Sequence, residues 1–120
     1  MIAQAFANNG AQVYITGRRA EALENAVKTW GAELTHPKGK LVPLTADITD
    51  KQAVEQLVQQ ISQREQYLDI LINNAGISSQ TQTTEHTDAQ QLRRSLFEET
   101  ADVAEWDRVY RTNEIGRAHV

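Results

Sequence analysis

Three short polar segments of the 120-residue sequence carry side chains that could hold a ligand. They are Thr16–Arg19, Ala46–Ile48 and Asn73–Gly76. The first ends in two arginines, and a guanidinium can form paired hydrogen bonds with a phosphate. The second contains Asp47, whose carboxylate can accept a hydrogen bond from an adenine amino group. The third ends in a glycine, which lets the backbone approach a ligand closely.

Each polar segment follows a stretch with the pattern of a β-strand. Apolar, β-branched and aromatic residues predict strands at Gln12–Thr16, Leu41–Leu44 and Leu68–Ile72. The third stretch is almost entirely apolar, as expected for a strand covered on both faces of its sheet. Pro43 weakens the second as a central strand, because proline cannot donate to a sheet ladder.

Apolar residues recur at helical spacing in four parts of the chain. These parts are a short segment that ends at Gly10, Leu23–Trp30 followed by Gly31, Val54–Ile61, and Trp106–Asn113. Gly10 is suited to the left-handed conformation that ends a helix. Thr49 and Gln52 form a capping-box pattern, which predicts Thr49 as the N-cap of the third helix. Trp106 is expected to lie in the core rather than to contact a substrate.

Strands that alternate with helices at this spacing predict an α/β fold with a parallel sheet. In open sheets of this kind, ligands bind beyond the carboxyl ends of the strands. All three polar segments follow strand ends, so we expect them to form one site.

Composition excludes several classes of function. The 12 basic and 16 acidic residues give a net charge of −4, which provides no electrostatic footprint for nucleic acid or an anionic membrane. No apolar window is long enough to span a bilayer, and the first residues lack the pattern of a signal peptide. The sequence has no cysteine, which fits a reducing compartment, so we expect a cytoplasmic protein. The three histidines have no ligand spacing, and no metal site is predicted.

The polar segments resemble motifs of the short-chain dehydrogenase/reductase family. Asn73–Gly76, after its apolar strand, is similar to the Asn-Asn-Ala-Gly motif of that family. Asp47, in an Asp-Ile-Thr sequence, resembles the aspartate that contacts adenine. Trp106–Asn113 is similar to the helix that presents the asparagine of the catalytic tetrad. The order and spacing of the three motifs match over residues 1–113.

The resemblance implies a role for each matched residue. Asp47 and the backbone of Ile48 would hold the adenine ring. Asn113 would hold its helix open and support a water that relays protons to a catalytic lysine. The ribose on the nicotinamide side would be lined by Asn73, Ala75 and Gly76. The plainer alternatives are that Asp47 is a turn residue and that the asparagines form an ordinary strand-end turn.

Arg18 lies just after the strand end at which proteins of this family contact the 2′ position of the adenosine ribose. An acidic residue there selects NAD, whereas an arginine with no acid beside it can pair with a 2′-phosphate. Thr16–Arg19 contains no acid, so NADP(H) is favoured over NAD(H), with Arg19 as a second phosphate ligand. Both arginines could instead be solvated residues at the start of a helix.

Parts of the family pattern do not occur in the sequence. No pair of its glycines fits the Gly-rich turn, and none of Tyr14, Tyr67 and Tyr110 has a lysine four positions on. The resemblance therefore predicts an incomplete Rossmann-like, doubly wound sheet of three α/β/α layers, lacking its first strand and its C-terminal half. We expect residues 1–113 to be a partial NAD(P)-binding domain. Residues 114–120 resemble a translated sequencing adapter and are expected to be a non-native tail.

The family implies that the parent protein reduces a carbonyl group, 3-oxoacyl or ketone-like, or oxidises a secondary alcohol. Without the Tyr-x-x-x-Lys pair, these 120 residues are expected to be inactive by themselves. The parent is expected to be a homo-oligomer acting on a small molecule, which the polar loop Ser78–Gln91 does not identify. A non-catalytic nucleotide-binding or interaction module is the alternative. A receiver-like signalling domain would need an acidic cluster at its strand ends, where only Asp47 is acidic.

Overall fold

A computed structural model describes residues 1–78, 88–94 and 103–116 of the chain. The chain divides into two compact units, Met1–Tyr67 and Leu68–Val120. Most of the predicted polar loop, residues 79–87, and the end of the predicted tail, residues 117–120, lie outside the described residues. Within the described ranges, no helix has the length and apolar character needed to cross a membrane.

The first unit has the predicted order of helices and strands. Its elements are α1 (Ile2–Asn8), β1 (Gln12–Gly17), α2 (Ala20–Gly31), β2 (Lys40–Thr45) and α3 (Lys51–Ser62). The strands β1 and β2 pair in parallel, with Gln12 opposite Lys40 and Gly17 opposite Thr45. Because parallel neighbours need a crossover, α2 carries the chain from the end of one strand back to the start of the next. The partial α/β fold predicted from the sequence is confirmed.

The start of this sheet is fixed by close packing between α1 and the loop before β2. Gly10 adopts a φ of +92°, as predicted for the residue that ends α1. A Cβ atom at Gly10 would lie 2.7 Å from Cε1 of His36, so the imidazole ring occupies the space that a side chain would need. The amide of Lys40 donates to the carbonyl of Ala11 (3.1 Å), which begins the ladder between the strands.

A cluster of hydrogen bonds joins Glu65, which follows α3, to β1. The hydroxyl of Tyr14 donates to Oε1 of Glu65 (2.6 Å), and Nε2 of Gln12 donates to the Tyr14 hydroxyl (2.8 Å) and to the same carboxylate. The hydrogen bond to Glu65, with smaller contributions from burial and from the carboxylate charge, raises the pKa of Tyr14. These hydrogen bonds attach the segment that follows α3 to the sheet through polar groups.

The apolar core of the described residues is small. Its buried members are Ala7, Leu41, Leu44, Ala46 and Val54. No residue of α2 is buried, and Trp30, which the sequence places on the packing face of that helix, is 37% exposed. No large side chain in the described ranges is fully enclosed.

The prediction of a third strand at Leu68–Ile72 is wrong for the structure, which has no strand in this segment. Its apolar side chains are about half exposed, from 46% at Ile72 to 57% at Ile70. A strand exists only where another strand satisfies its N–H and C=O groups. Among the described residues, the sheet contains only β1 and β2. The segment Leu68–Ile72 therefore has the composition of a buried strand but no hydrogen-bonded partner strand.

Three short helical elements lie within the described residues of the second unit. They are α4 (Ala89–Arg93), α5 (Val103–Tyr110) and a π-helical turn at Arg111–Ile115. Asp88 caps α4 by accepting from the amide of Gln91 (2.8 Å), so the predicted loop ends earlier than Gln91. The predicted final helix is present, but Trp106 is 65% exposed, and its placement in the core is wrong.

We expect the 120-residue chain to unfold over a broad temperature range. Its buried apolar area is small, and each ordered residue costs on the order of 1–2 kcal/mol of backbone entropy. Far-ultraviolet circular dichroism and calorimetry on the same sample measure the transition. A sharp, reversible transition with equal calorimetric and van't Hoff enthalpies would contradict this expectation.

Candidate functional site

Parallel pairing brings the carboxyl ends of β1 and β2 together. Gly17 lies opposite Thr45, and the amide of Ala46 donates to the carbonyl of Gly17 (3.1 Å), which extends the ladder by one bond. Arg18 and Asp47 therefore follow directly after two hydrogen-bonded strand ends. Two of the three polar segments predicted to share a site are adjacent in the structure.

A surface cavity of about 580 Å³ opens at the end of β1. It is lined by Gly17, Arg18, Arg19, Ala22 and Leu23. Both arginines are exposed, and Arg19 is the residue that precedes the first turn of α2. The cavity combines two cationic side chains with an apolar wall from the first turns of the helix. This combination suits a ligand that carries both a phosphate and a flat apolar surface.

Asp47 is held in a tight turn between β2 and α3. One of its carboxylate oxygens, Oδ1, accepts from the hydroxyl of Thr49 (2.7 Å) and from the amide of Thr49 (2.9 Å). These two bonds, the hydroxyl first, lower the pKa of Asp47; the charge of Arg18 acts in the same direction, and burial opposes them. The turn role that the sequence offered as an alternative for Asp47 is thus present. Ile48, inside the turn, is half-buried.

The predicted capping box of α3 is wrong by one residue. The N-cap is Asp50, whose side chain accepts from the amide of Gln52 (2.9 Å). The hydroxyl of Thr49, one residue before the N-cap, donates to the Asp47 carboxylate. Sequence reasoning therefore missed the part that Thr49 plays in the site. The sequence does contain a pattern that predicts this contact, because a threonine two residues after an aspartate is typical of Asx turns.

In the second unit, Asn113 is bonded to the backbone that follows the Asn-Asn-Ala-Gly segment. Its Oδ1 accepts from the amide of Ile77 (2.9 Å), and its Nδ2 donates to the carbonyl of Ile77 (2.9 Å). A Cβ atom on Gly76 would lie 3.3 Å from Oδ1 of Asn113, so a larger residue there would press on this pair. Asn113 lies in the middle of the π-helical turn. Nothing in the sequence marks Ile77, because the contact involves only its backbone.

The predicted site residues form two clusters, one in each unit. Arg18, Arg19, Asp47 and Ile48 lie at the strand ends of the first unit, and the second unit holds Asn73, Ala75, Gly76 and Asn113. Asn73 and Ala75 are exposed. Among the described residues, no group of three or more side chains is arranged to bind a metal ion.

Comparisons with a family model and with individual proteins indicate the same family. Residues 1–120 match the family described as short chain dehydrogenase. The short-chain dehydrogenase/reductase PhomF' of Diaporthe leptostromiformis is 37% identical over 99 residues, which cover 81% of this chain and 32% of that protein. VdtF of Byssochlamys spectabilis, another protein of that description, is 34% identical over 119 residues, covering 94% of this chain and 36% of VdtF.

A solved structure agrees with this similarity. The crystal structure of a short-chain dehydrogenase/reductase from Burkholderia xenovorans superposes with a TM-score of 0.69 at 27% sequence identity. The match covers 98% of this chain and 42% of that structure. The 120 residues span about a third of the length of the curated relatives above, at 32% and 36%.

We expect Asn113→Ala to expose the amide of Ile77 to solvent exchange, because that substitution removes the acceptor of its hydrogen bond. Loss of a hydrogen bond that contributes about 1.4 kcal/mol would make exchange of the Ile77 amide about tenfold faster. Amide hydrogen exchange followed by NMR measures the rate at Ile77. Thr112→Ala is the matched control, since its hydroxyl bonds to the carbonyl of Arg108 (3.1 Å) and not to this segment. Unchanged exchange at Ile77 in Asn113→Ala would contradict the role given to that side chain.

Proposed function

This chain belongs to the short-chain dehydrogenase/reductase family, and we propose that the complete protein is an NADP(H)-dependent oxidoreductase. It reduces a carbonyl group, 3-oxoacyl or ketone-like, or oxidises a secondary alcohol. In this proposal, the residues at the strand ends of the first unit bind the adenosine end of the cofactor. The single observation that supports it most strongly is the cavity with two arginines beside the Asp47 turn.

The residues of the cavity fit a 2′-phosphate. Neither Arg18 nor Arg19 forms an ion pair within the part of the chain that the structure describes, so both guanidinium groups can turn toward an anion. No acidic side chain lines the cavity to compete with a phosphate or to bind the two hydroxyls of an unphosphorylated ribose. Asp47 lies at the neighbouring strand end, where its carboxylate can accept from an adenine amino group. These features support NADP(H) over NAD(H).

The second unit supports the remaining assignments. We assign Asn73, Ala75 and Gly76 to the ribose on the nicotinamide side. Asn113 holds the backbone at Ile77 with both ends of its amide, and the π-helical turn around it supports the proposal that Asn113 keeps its helix open for a proton-relay water. When bound, the dinucleotide would donate a hydride in carbonyl reduction or accept one in alcohol oxidation, and these residues would only help to place it.

The same proposal includes a substrate, an oligomeric state and a cellular compartment. A small carbonyl or alcohol is the substrate, and we expect a homo-oligomer in the cytoplasm. A net charge of −4 supports the absence of nucleic-acid and membrane partners.

The preference for a 2′-phosphate should be measurable on this chain. We expect adenosine 2′,5′-bisphosphate to bind about tenfold more tightly than adenosine 5′-monophosphate, since a hydrogen bond between charged groups contributes about 1.5–3 kcal/mol. Chemical-shift titration by NMR detects both affinities even when they are weak. Arg18→Ala should remove most of the preference, and Arg19→Ala should show how much the second guanidinium adds.

The matched control for this experiment is Lys28→Ala. It removes one positive charge from the last turn of α2, away from the cavity. If Lys28→Ala lowers the preference as much as Arg18→Ala, the effect is one of net charge and the proposed phosphate site is wrong. Equal affinity of the unsubstituted chain for both ligands would also contradict it.

Catalysis should need residues beyond these 120. No tyrosine in the chain has a lysine four positions on, so we expect no oxidation of NADPH above the blank with any ketone or 3-oxoacyl substrate. Nicotinamide absorbance follows the reaction, with the complete protein, cloned from the flanking coding sequence, as the positive control. Turnover by the 120-residue chain would contradict this proposal. Micromolar NADPH binding by a complete protein without turnover would favour a non-catalytic nucleotide-binding module.

A further inference from the structure

We propose that Thr49 is a positioning residue for the cofactor. It fixes one carboxylate oxygen of Asp47 so that the other oxygen is presented to the amino group of an adenine base. The inference rests on the proposed function, because it concerns how the adenine end of that site selects its base.

Several hydrogen bonds make the turn around Asp47 rigid. Oδ1 of Asp47 accepts two hydrogen bonds from the same residue, at 2.7 Å from the Thr49 hydroxyl and 2.9 Å from its amide. The main chain closes the same turn, since the amide of Asp50 donates to the carbonyl of Asp47 (3.1 Å). Asp50 in turn caps α3 through the amide of Gln52. The Asp47 carboxylate therefore cannot rotate without losing bonds that join β2 to α3.

The other carboxylate oxygen of Asp47 is Oδ2. None of the described residues donates a hydrogen bond to Oδ2 of Asp47. Two donors on Oδ1 favour the ionised carboxylate, and the guanidinium of Arg18 at the neighbouring strand end adds to this. An ionised carboxylate is an acceptor without a proton of its own. Oδ2 therefore selects a ligand atom that donates, such as the C6 amino group of adenine, and rejects the C6 carbonyl of hypoxanthine.

Positioning of Asp47 and simple closure of the turn predict different results when Thr49 is replaced. If Thr49 only closed the turn, its loss would weaken the fold and leave the choice of base unchanged. If it positions Asp47, its loss changes the ionisation of Asp47 and the choice of base together. Thr49→Val keeps the amide and the branched shape but removes the hydroxyl. Thr49→Ser keeps the hydroxyl, which makes it the matched control.

The first measurement needs no ligand. The carboxyl carbon of Asp47 is followed by NMR as the pH is lowered, in the unsubstituted chain and in both Thr49 variants. We expect Thr49→Val to raise the pKa of Asp47 and Thr49→Ser to leave it close to that of the unsubstituted chain. Because the folded-state pKa is lowered, the stabilisation is present above the ordinary pKa of aspartate and is lost as the pH falls through the folded-state pKa. Identical titrations in all three proteins would overturn the proposal.

The second measurement compares two bases. Adenosine 2′,5′-bisphosphate and its inosine counterpart are titrated against each protein by chemical shift. We expect the unsubstituted chain and Thr49→Ser to prefer adenosine by about tenfold, and Thr49→Val to lose most of that preference. A raised pKa in Thr49→Val with an unchanged preference would overturn the positioning role. If no protein binds either ligand, the proposed function fails, and the ligand-free titration alone decides whether Thr49 holds Asp47.

A second variant covers the case in which Thr49→Val does not fold. Asp47→Asn keeps an oxygen that can accept from Thr49, and it places an amino group where Oδ2 stood. The presented atom then donates instead of accepting. We expect the base preference to reverse in favour of inosine, and retention of the adenosine preference would overturn the proposal.

Discussion

The parallel pairing of β1 with β2 is the constraint on which the first unit depends. Its register sets Gly17 against Thr45, and the next ladder bond leads from Ala46 to Gly17. Every group assigned to the adenosine end follows one of these two strand ends. Because α2 must return the chain to the start of β2, its first turn lies beside the end of β1, where it walls the cavity. A shift of register by one residue would separate Arg18 from Asp47 and turn the side chains of one strand to the opposite face.

The two clusters use short polar side chains in the same way. Asp47 closes a turn with one oxygen, and Asn113 holds a loop with both ends of its amide. Each side chain is fixed by bonds to the backbone or to a neighbour, so its orientation does not depend on a large apolar core. This matters in a chain where few apolar side chains are buried. Hydrogen bonds to charged or amide groups, each typically of about 0.5–3 kcal/mol, can set local geometry where packing cannot.

Local patterns in the sequence predict much of this structure. Alternating strands and helices indicate the parallel pair, and Gly10 ends α1 in the left-handed conformation that its position requires. The sequence also places Arg18 and Asp47 at neighbouring strand ends. The strand predicted at Leu68–Ile72 is absent from the structure. Apolar composition indicates a preference for burial, but it does not indicate whether a partner strand is present. Contacts made by backbone groups, such as Ile77 with Asn113, leave no mark on residue type.

The π-helical turn at Arg111–Ile115 also affects how the chain tolerates changes in length. Such a turn holds one residue more than the α-helix around it would need, and each residue of a helix rotates the next by about 100°. Removing one residue ahead of Asn113, either Arg111 or Thr112, would restore α-helical winding and rotate the side chains that follow by about that angle. Asn113 would then no longer face the backbone of Ile77, although no residue type had changed. At this point of the chain, residue count is as much a determinant of side-chain direction as residue identity.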